Sequence, residues 1–430
     1  MTLAQAVTSI NCTSCGAGLD VLGGGRVTTH ICPYCGSALD AQHDYAVLKK
    51  YANAERPDSP FRIGMHGHLY GVDWVLIGTL AHRETWAGQV WEWVDHQLFS
   101  ATHGYAWLTV EDGHLVFTRR YRGAVTPPWI SERWVETAEN PPVVISRGER
   151  FRYLQTSTSK VTFAEGEFTY TPQIGDTTMT ISAMSHDHML DFSQSGHERE
   201  IHRGTYVSAA EGLAAFDLPA DALRPRGVHA LQPLRQGPNA GFVLKTGLAA
   251  AAVCLVAGLM LHFQPGRQVL APATFALADL PQSVTIPIDN TTQLAGVYLE
   301  SDVSNSWAYV PLDVTDPEDT PLFEAGRSIE YYFGREGNES WTEGSRRASL
   351  FFRPTVPGDY EITLYAPETG LWGQQSRAPS RVAVSAYQGL SSGFWMLLLA
   401  FGFVLVGAIP LLRRLYHGHR RWKHSDWSEE

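Results

Sequence analysis

Two long apolar runs interrupt a chain that otherwise alternates between polar and apolar positions. The first, residues 241–263, carries one charge, Lys245, in 23 positions. The second, residues 393–412, carries none. A helix of that length covers about 30 Å, enough to cross the hydrocarbon core of a bilayer. The pattern therefore predicts two transmembrane helices. Arg413, Arg414, Arg420, Arg421 and Lys423 follow the second run, and Arg235 and Lys245 flank the start of the first. Under the positive-inside rule both termini are expected in the cytosol, giving a two-pass protein of the inner (cytoplasmic) membrane. Residues 264–392 then lie outside. Their composition agrees, with no lysine and eight arginines against sixteen carboxylates.

The rest of the apolar pattern is short and strand-like. Residues 264–392 hold runs such as SVTIPID, WAYVPLDV and SRVAVSAY, with turn signals every ten or so residues. They predict an extracytoplasmic β-sandwich. Residues 61–225 alternate in the same way, with glycines punctuating aromatic and β-branched runs. Here two related β-barrel or β-roll lobes are expected, roughly 61–135 and 140–210, forming a cytosolic core. Glu111-Asp112-Gly113, Gly166 and Gly175-Asp176 are read as turns. Residues 41–60 have helix-forming composition with Tyr45, Leu48 and Tyr51 near helical spacing, and predict a helical connector ended by Pro57 and Pro60. Residues 226–240 read as a linker and 413–430 as a basic cytosolic tail. The fold class is mainly β.

Residues 1–40 carry the clearest chemistry. Cys12, Cys15, Cys32 and Cys35 form two C-x2-C pairs sixteen residues apart, inside near-copies CTSCGAGL and CPYCGSAL. Two such turns close a tetrahedral thiolate shell around Zn²⁺, so residues 1–40 are expected to form a zinc ribbon. With four thiolates no position stays open for water or substrate, so the zinc is expected to be structural. Arg26 is the only Arg or Lys there, against Asp20 and Asp40, so a nucleic-acid role is poorly supported and a protein-docking module or fold-stabilising cap is expected. The start, MTLAQAVTSINC, lacks a signal-peptide pattern. The whole chain is acidic, net −11 with 18% charged residues. That is neither a disordered composition nor a nucleic-acid binder.

Other candidates weigh less. His66, His68, His82, His96, His103, His114, His186, His188, His197 and His202 include i, i+2 pairs, which one strand face can present to a metal. No nucleophile–base pair and no catalytic motif accompanies them, so no catalytic residue is assigned. Glu92 points away from Trp91 and Trp93; Glu165, Glu167 and Glu198 are further carboxylates to place. Asp313, Asp316, Glu318 and Asp319 read as a solvated acidic loop rather than a Ca²⁺ site. Trp74, Trp86, Trp91, Trp93, Trp107, Trp129 and Trp134 should be mostly core. Any that line a groove would suit a peptide, a lipid headgroup or a cation such as a polyamine.

The runs GMHGHLYGVDWVLIGTL, VWEWVDHQLF, YAWLTVEDGHLVF, FAEGEFTYTPQIGD and MLDFSQSGHEREIHRGTYVS resemble the bacterial family called domain of unknown function 4178. Glu198, Gly204 and Tyr206 fall in its pattern, whereas the family often has tryptophan where Ile201 stands. The resemblance implies a context of phage-shock-type membrane-stress proteins and polyamine-synthase-like enzymes, not a chemistry. The expected function is a non-enzymatic membrane-anchored scaffold or sensor. It would couple the cytosolic module to the outer sandwich in envelope stress, with a protein partner and self-association through the small-residue helix. The alternative is an enzyme or accessory subunit whose core binds a small cation such as a polyamine.

Overall fold

Alternation along residues 72–207 closes into one barrel. The computed structural model describes residues 8–51, 55–196, 198–373 and 375–427. It divides into two units, Met1–Gly237 with Leu411–Glu430, and Pro238–Pro410. Residues 1–7, with most of the start read for a targeting signal, and His197 lie outside the described residues.

In the first unit, β1 (Thr8–Asn11) and β2 (Gly18–Val21) form a hairpin, and β3 (Thr29–Ile31), β4 (Ser37–Asp40) and β5 (Ala46–Lys50) follow. Next come β6 (His66–Leu69), β7 (Val72–Trp86), β8 (Gln89–Ser100), β9 (Gly104–Glu111) and β10 (His114–Arg120). After α1 (Glu132–Thr137) and β11 (Val143–Ser146) a second meander runs through β12 (Glu149–Phe168), β13 (Thr177–Met184), β14 (His188–Ser195) and β15 (Glu198–Val207). Helix α2 (Ala209–Ala215) follows. The two meanders, β7 to β10 and β12 to β15, join antiparallel at β10–β15 and, over Val161–Gly166, at β12–β7, giving a barrel of eight strands. The expectation of two lobes is therefore corrected: each half supplies four strands to one shared barrel. Gly166 is likewise not a turn. It lies within β12 at φ 88°, facing both Gly78 of β7 and Ile31 of β3, and a Cβ there would stand 2.3 Å from the Ile77 carbonyl oxygen. Only glycine fits this crossing of strands.

The barrel is apolar on its outside. Along β9, Ala106, Leu108 and Val110 are buried while Tyr105, Trp107 and Thr109 alternate with them. The outward set joins Trp74, Leu76 and Leu98 under Phe61, Leu213 and Phe216. A second outer core gathers Phe151, Ile181, Ala183, Leu190 and Phe192 under Val125, Ile130 and Val144. Burial of these faces under added segments, rather than a filled interior, supplies the apolar driving force.

The expected helical connector over residues 41–60 is also corrected, with residues 52–54 outside the described ones. Its residues make turns and β5, which pairs with β4. Tyr51 donates its N–H to the Gly36 carbonyl and its hydroxyl to the Pro172 carbonyl, at 2.9 and 2.6 Å. Pairing with the ribbon overrides a weak helical preference.

Helix α3 (Ala240–His262) of the second unit and α4 (Phe394–Arg421), whose residues from Leu411 onward belong to the first, are long and apolar enough to cross a membrane. Only 17% of each apolar window is buried, unlike the core helix of a soluble domain. Helix α4 continues through Pro410 to Arg421 instead of ending at 412, so half of the expected tail is helical; basic residues in its last turn suit the helix dipole. Gly247, Ala251 and Gly258 share the buried face of α3, and Ala400 and Gly407 that of α4. A Cβ on Gly247 would lie 2.8 Å from Gly407 Cα, so these backbones touch.

Between the helices lie two antiparallel sheets. One holds strands Arg267–Ala276, Arg381–Leu390, Leu294–Ser301 and Arg347–Phe352. The other is built on Gln282–Ile288, Gly358–Leu364, Ser306–Thr315, Pro321–Glu336 and Glu339–Ser345, with Glu368–Leu371 beside Ser306–Thr315. Ile286, Val310, Ile329 and Tyr360 of one sheet share a core with Val297 and Val384 of the other. The acidic loop residues do not gather. Asp316 accepts the Glu318 and Thr320 N–H groups, both at 2.9 Å, and Asp313 accepts the Tyr365 hydroxyl at 2.8 Å.

Candidate functional site

The four cysteines sit in two turns with the same backbone bonds. Gly16 and Gly36, at φ 78° and 67°, donate to the carbonyls of Cys12 and Cys32 at 2.8 and 2.9 Å. Cys12 and Cys32 donate in turn to Ala17 and Ser37, at 2.8 and 2.9 Å. Each turn thereby aims its pair of sulfurs inward. All four Sγ atoms lie within 4.8 Å of one another, with Cys12–Cys35 at 3.8 Å and Cys15–Cys32 at 3.9 Å. A tetrahedron with metal–sulfur bonds of about 2.3 Å has edges of about 3.8 Å, so the cluster is compatible with a metal site. Burial pushes the Cys32 thiol up to about 12, so metal binding must displace its proton.

The ribbon is fastened to the barrel wall by β3 pairing with β12 and by Glu167. This carboxylate, 2% exposed, accepts the N–H groups of Leu22 and Gly23 and faces His30 Nδ1 at 3.5 Å. Glu165 pairs with Arg56 at 2.8 Å. Both are fastenings of the fold. Glu92 is exposed and pairs with Arg83. Among the described residues the histidine pairs form no metal cluster. His68 bonds Asp73, and His96 lies outside the barrel between Ser59 and Thr79. Burial there, with the Arg56 charge adding, pulls His96 down to about 3 and keeps it neutral.

The sequence reading missed the lumen. The face opposite the apolar one is largely polar, with Leu80, Val116 and Val161 among its side chains, and lines a cavity of about 2320 Å³ that opens to solvent and also carries Arg119, Arg120 and Arg421. The tryptophans split accordingly: Trp74 is core, Trp129 and Trp134 pack outside, and Trp91, Trp93 and Trp107 line the cavity. At its centre Asp95 accepts from Thr109 at 2.5 Å and pairs with His82 at 3.2 Å, whose ring stacks on Trp93 at 5.4 Å. Burial works against the Asp95 charge, yet His82 and Thr109 hold its pKa below the usual value. Asp191, opposite His202 in the ladder, accepts from Ser182 at 2.6 Å. Burial, with Asp95 adding, raises it to about 6. Burial first, and the Arg120 charge with it, lowers His202, whose ring pairs with Glu200 at 3.4 Å. Gln97, 2% exposed, belongs to the lining, and its buried Oε1 has no protein partner. Glu198 lines the cavity toward one end. Such a space of carboxylates, imidazoles and indole faces can hold a small polar molecule.

Comparison with curated proteins finds no match. Among solved structures the chain is similar at 8% identity to the insecticidal delta-endotoxin Cry8Ea1 of Bacillus thuringiensis, over 75% of this chain and 54% of that one, TM-score 0.14. It thus spans about half the length of the endotoxin. The infectious bursal disease virus VP2 subviral particle gives 11% identity, 83% and 66% coverage and TM-score 0.16. Trypanosoma rangeli sialidase in complex with sialic acid gives 10%, 93% and 77%, and 0.15. At these TM-scores none carries an argument. Residues 62–209, which span the whole barrel, match the family model described as Domain of unknown function (DUF4178).

Proposed function

We propose that the chain is a two-pass, membrane-anchored sensor. Its ribbon–barrel unit takes a small organic cation of the polyamine class into the lumen, and its two helices connect that unit to a β-sandwich across the membrane. The observation that carries this reading is the barrel cavity, where Asp95 and Asp191 lie among Trp91, Trp93 and Trp107. Carboxylates beside indole faces are what an ammonium group needs: charge, hydrogen-bond acceptors and cation–π contact. The ribbon holds Zn²⁺ as a structural ion, because four thiolates fill its shell. Tyr34, 70% exposed on the second cysteine turn, favours a protein docking role for the ribbon beside ligand binding.

The topology is supported by contacts between segments on both sides of the helix pair: Arg421 bonds the Ala230 and His186 carbonyls and Asp426 the Thr156 N–H, all within the first unit. An even number of crossings returns the chain to its starting side. A reporter fused after Leu390 is expected to be active outside the cell, and one at Glu430 only inside. The reverse pattern rejects the topology.

Ligand binding is tested by calorimetric titration of the detergent-solubilised chain with spermidine. Saturable binding is expected, tightening about tenfold between pH 5 and 7. The sign follows from Asp191: with a pKa of about 6 it is mostly protonated at the lower pH and mostly ionised at the higher, and only the ionised form attracts a cation. Asp191→Asn should flatten this dependence. No saturable heat at any pH rejects the cation reading.

A further inference from the structure

One wall of the barrel has an incomplete seam. On one edge β12 pairs with β11 as far as Arg152, and with β7 only from Val161 onward. The peptide groups between need other partners. Two carboxylates supply them. Glu84 of β7 accepts the Thr158 N–H at 3.0 Å and the Ser157 hydroxyl at 2.7 Å. Asp426 accepts the Thr156 N–H at 2.7 Å and the Tyr153 hydroxyl at 2.8 Å, and donates its own N–H to the Leu154 carbonyl at 3.1 Å. Leu154 is the extra residue where the β12–β13 register shifts.

The segment that delivers Asp426 is well held. Arg421 donates to the carbonyls of Ala230, Ser185 and His186, the last at 2.7 Å. Arg152 lies over the Trp422 ring at 5.2 Å, and Trp427 meets Tyr153 edge-on at 5.9 Å. His424, Ser425 and Asp426 line the cavity together with Thr156, Ser157 and Thr158 of the seam.

We propose that residues 422–427 are a latch on a lateral entrance to the lumen. Asp426 stands in for a missing strand: it closes the seam by satisfying β12 on both sides of Gln155, and its withdrawal opens a path between β7 and β12. The latch follows α4 without an intervening loop, since that helix ends at Arg421. Displacement of α4 therefore pulls on Asp426, which makes access to the lumen responsive to the membrane helix. This rests on the lumen being a binding site, but the test reads access rather than binding, so the two can fail separately.

The experiment places a cysteine in the lumen (Ser193→Cys) and a control on the surface (Glu139→Cys) of the full chain in detergent. Labelling by a charged maleimide is followed by peptide mass spectrometry, which separates these sites from the native cysteines. Asp426→Ala is expected to speed labelling at position 193 about tenfold, the factor carried by one charge-assisted hydrogen bond, with no change at position 139. Amide exchange over residues 153–158 should accelerate with it. Asp426→Asn, which keeps an acceptor but loses the charge, should label at a rate between the parent and the alanine variant. Trp427→Ala gives a milder release for use if the alanine variant fails to fold. Equal labelling at position 193 with and without the latch overturns the proposal. So does a parallel rise at both positions, which would mean general loosening.

Discussion

Serine at Cys12 and Cys15 is expected to release the metal and unfold the ribbon while leaving the barrel closed. Half of the thiolate shell is lost, and the binding energy of a tetrathiolate ion, about 10–16 kcal/mol in small metal-folded peptides, is what holds such a short chain in order. Beyond β3, β4 and Tyr51, which pair and pack with the barrel, the ribbon has little else. Its own apolar cluster is Cys12, Leu19, Cys32 and Leu39, with Ile10, Cys35 and Tyr45 against it, so two of its four buried members are proposed ligands. The barrel does not depend on it, because β12 pairs with β7 and β13 independently of β3. Elemental analysis should fall from one metal ion per chain to none. Amide exchange should rise over residues 8–51 and stay unchanged over β8 to β10. A retained ion would show that these cysteines are not its ligands.

Glu167→Ala should be the most damaging single change in the wall of the barrel, at about 3 kcal/mol. It strands two half-buried amides, those of Leu22 and Gly23, and leaves the buried His30 without its neighbour. Gly23 has no side chain to fill the gap, and its position forbids one: a Cβ would lie 2.4 Å from Val27 and 2.7 Å from the Glu167 carboxylate. Glu167→Gln keeps one acceptor and should recover about half of the loss. Thermal unfolding followed by tryptophan fluorescence measures both. An alanine variant as stable as the parent would mean that water satisfies these amides.

The cysteine cluster and the two apolar helices were legible because their signals are local. A C-x2-C turn presents its sulfurs whatever surrounds it, and an apolar run of twenty residues declares its own length. The lumen was not legible, for a reason that lies in the alternation itself. A polar face on a strand reads as solvent-facing, and only closure of β7 on β12, residues such as Leu80 and Ala164 far apart in sequence, turns that face inward. Trp93 and Glu92 were correctly placed on opposite faces, but local pattern cannot say which face is enclosed. The helical reading of residues 41–60 failed because β4 offered an edge to pair with, which composition does not reveal. The latch left one trace: Trp422 and Trp427 stand in a tail that a purely electrostatic topology signal would not need.

An inverted barrel also separates what holds the fold from what gives it selectivity. Much of the stability resides in the outer layers under Phe61, Ile130 and α2, while the small polar side chains of the lumen add little to it. Residues such as Thr180, Ser193 and Gln155 can therefore be exchanged at small thermodynamic cost. Chains sharing this scaffold are free to diverge in what they accommodate while their outer contacts stay fixed. The lumen is thus the part of the molecule best suited to redesign toward a chosen guest.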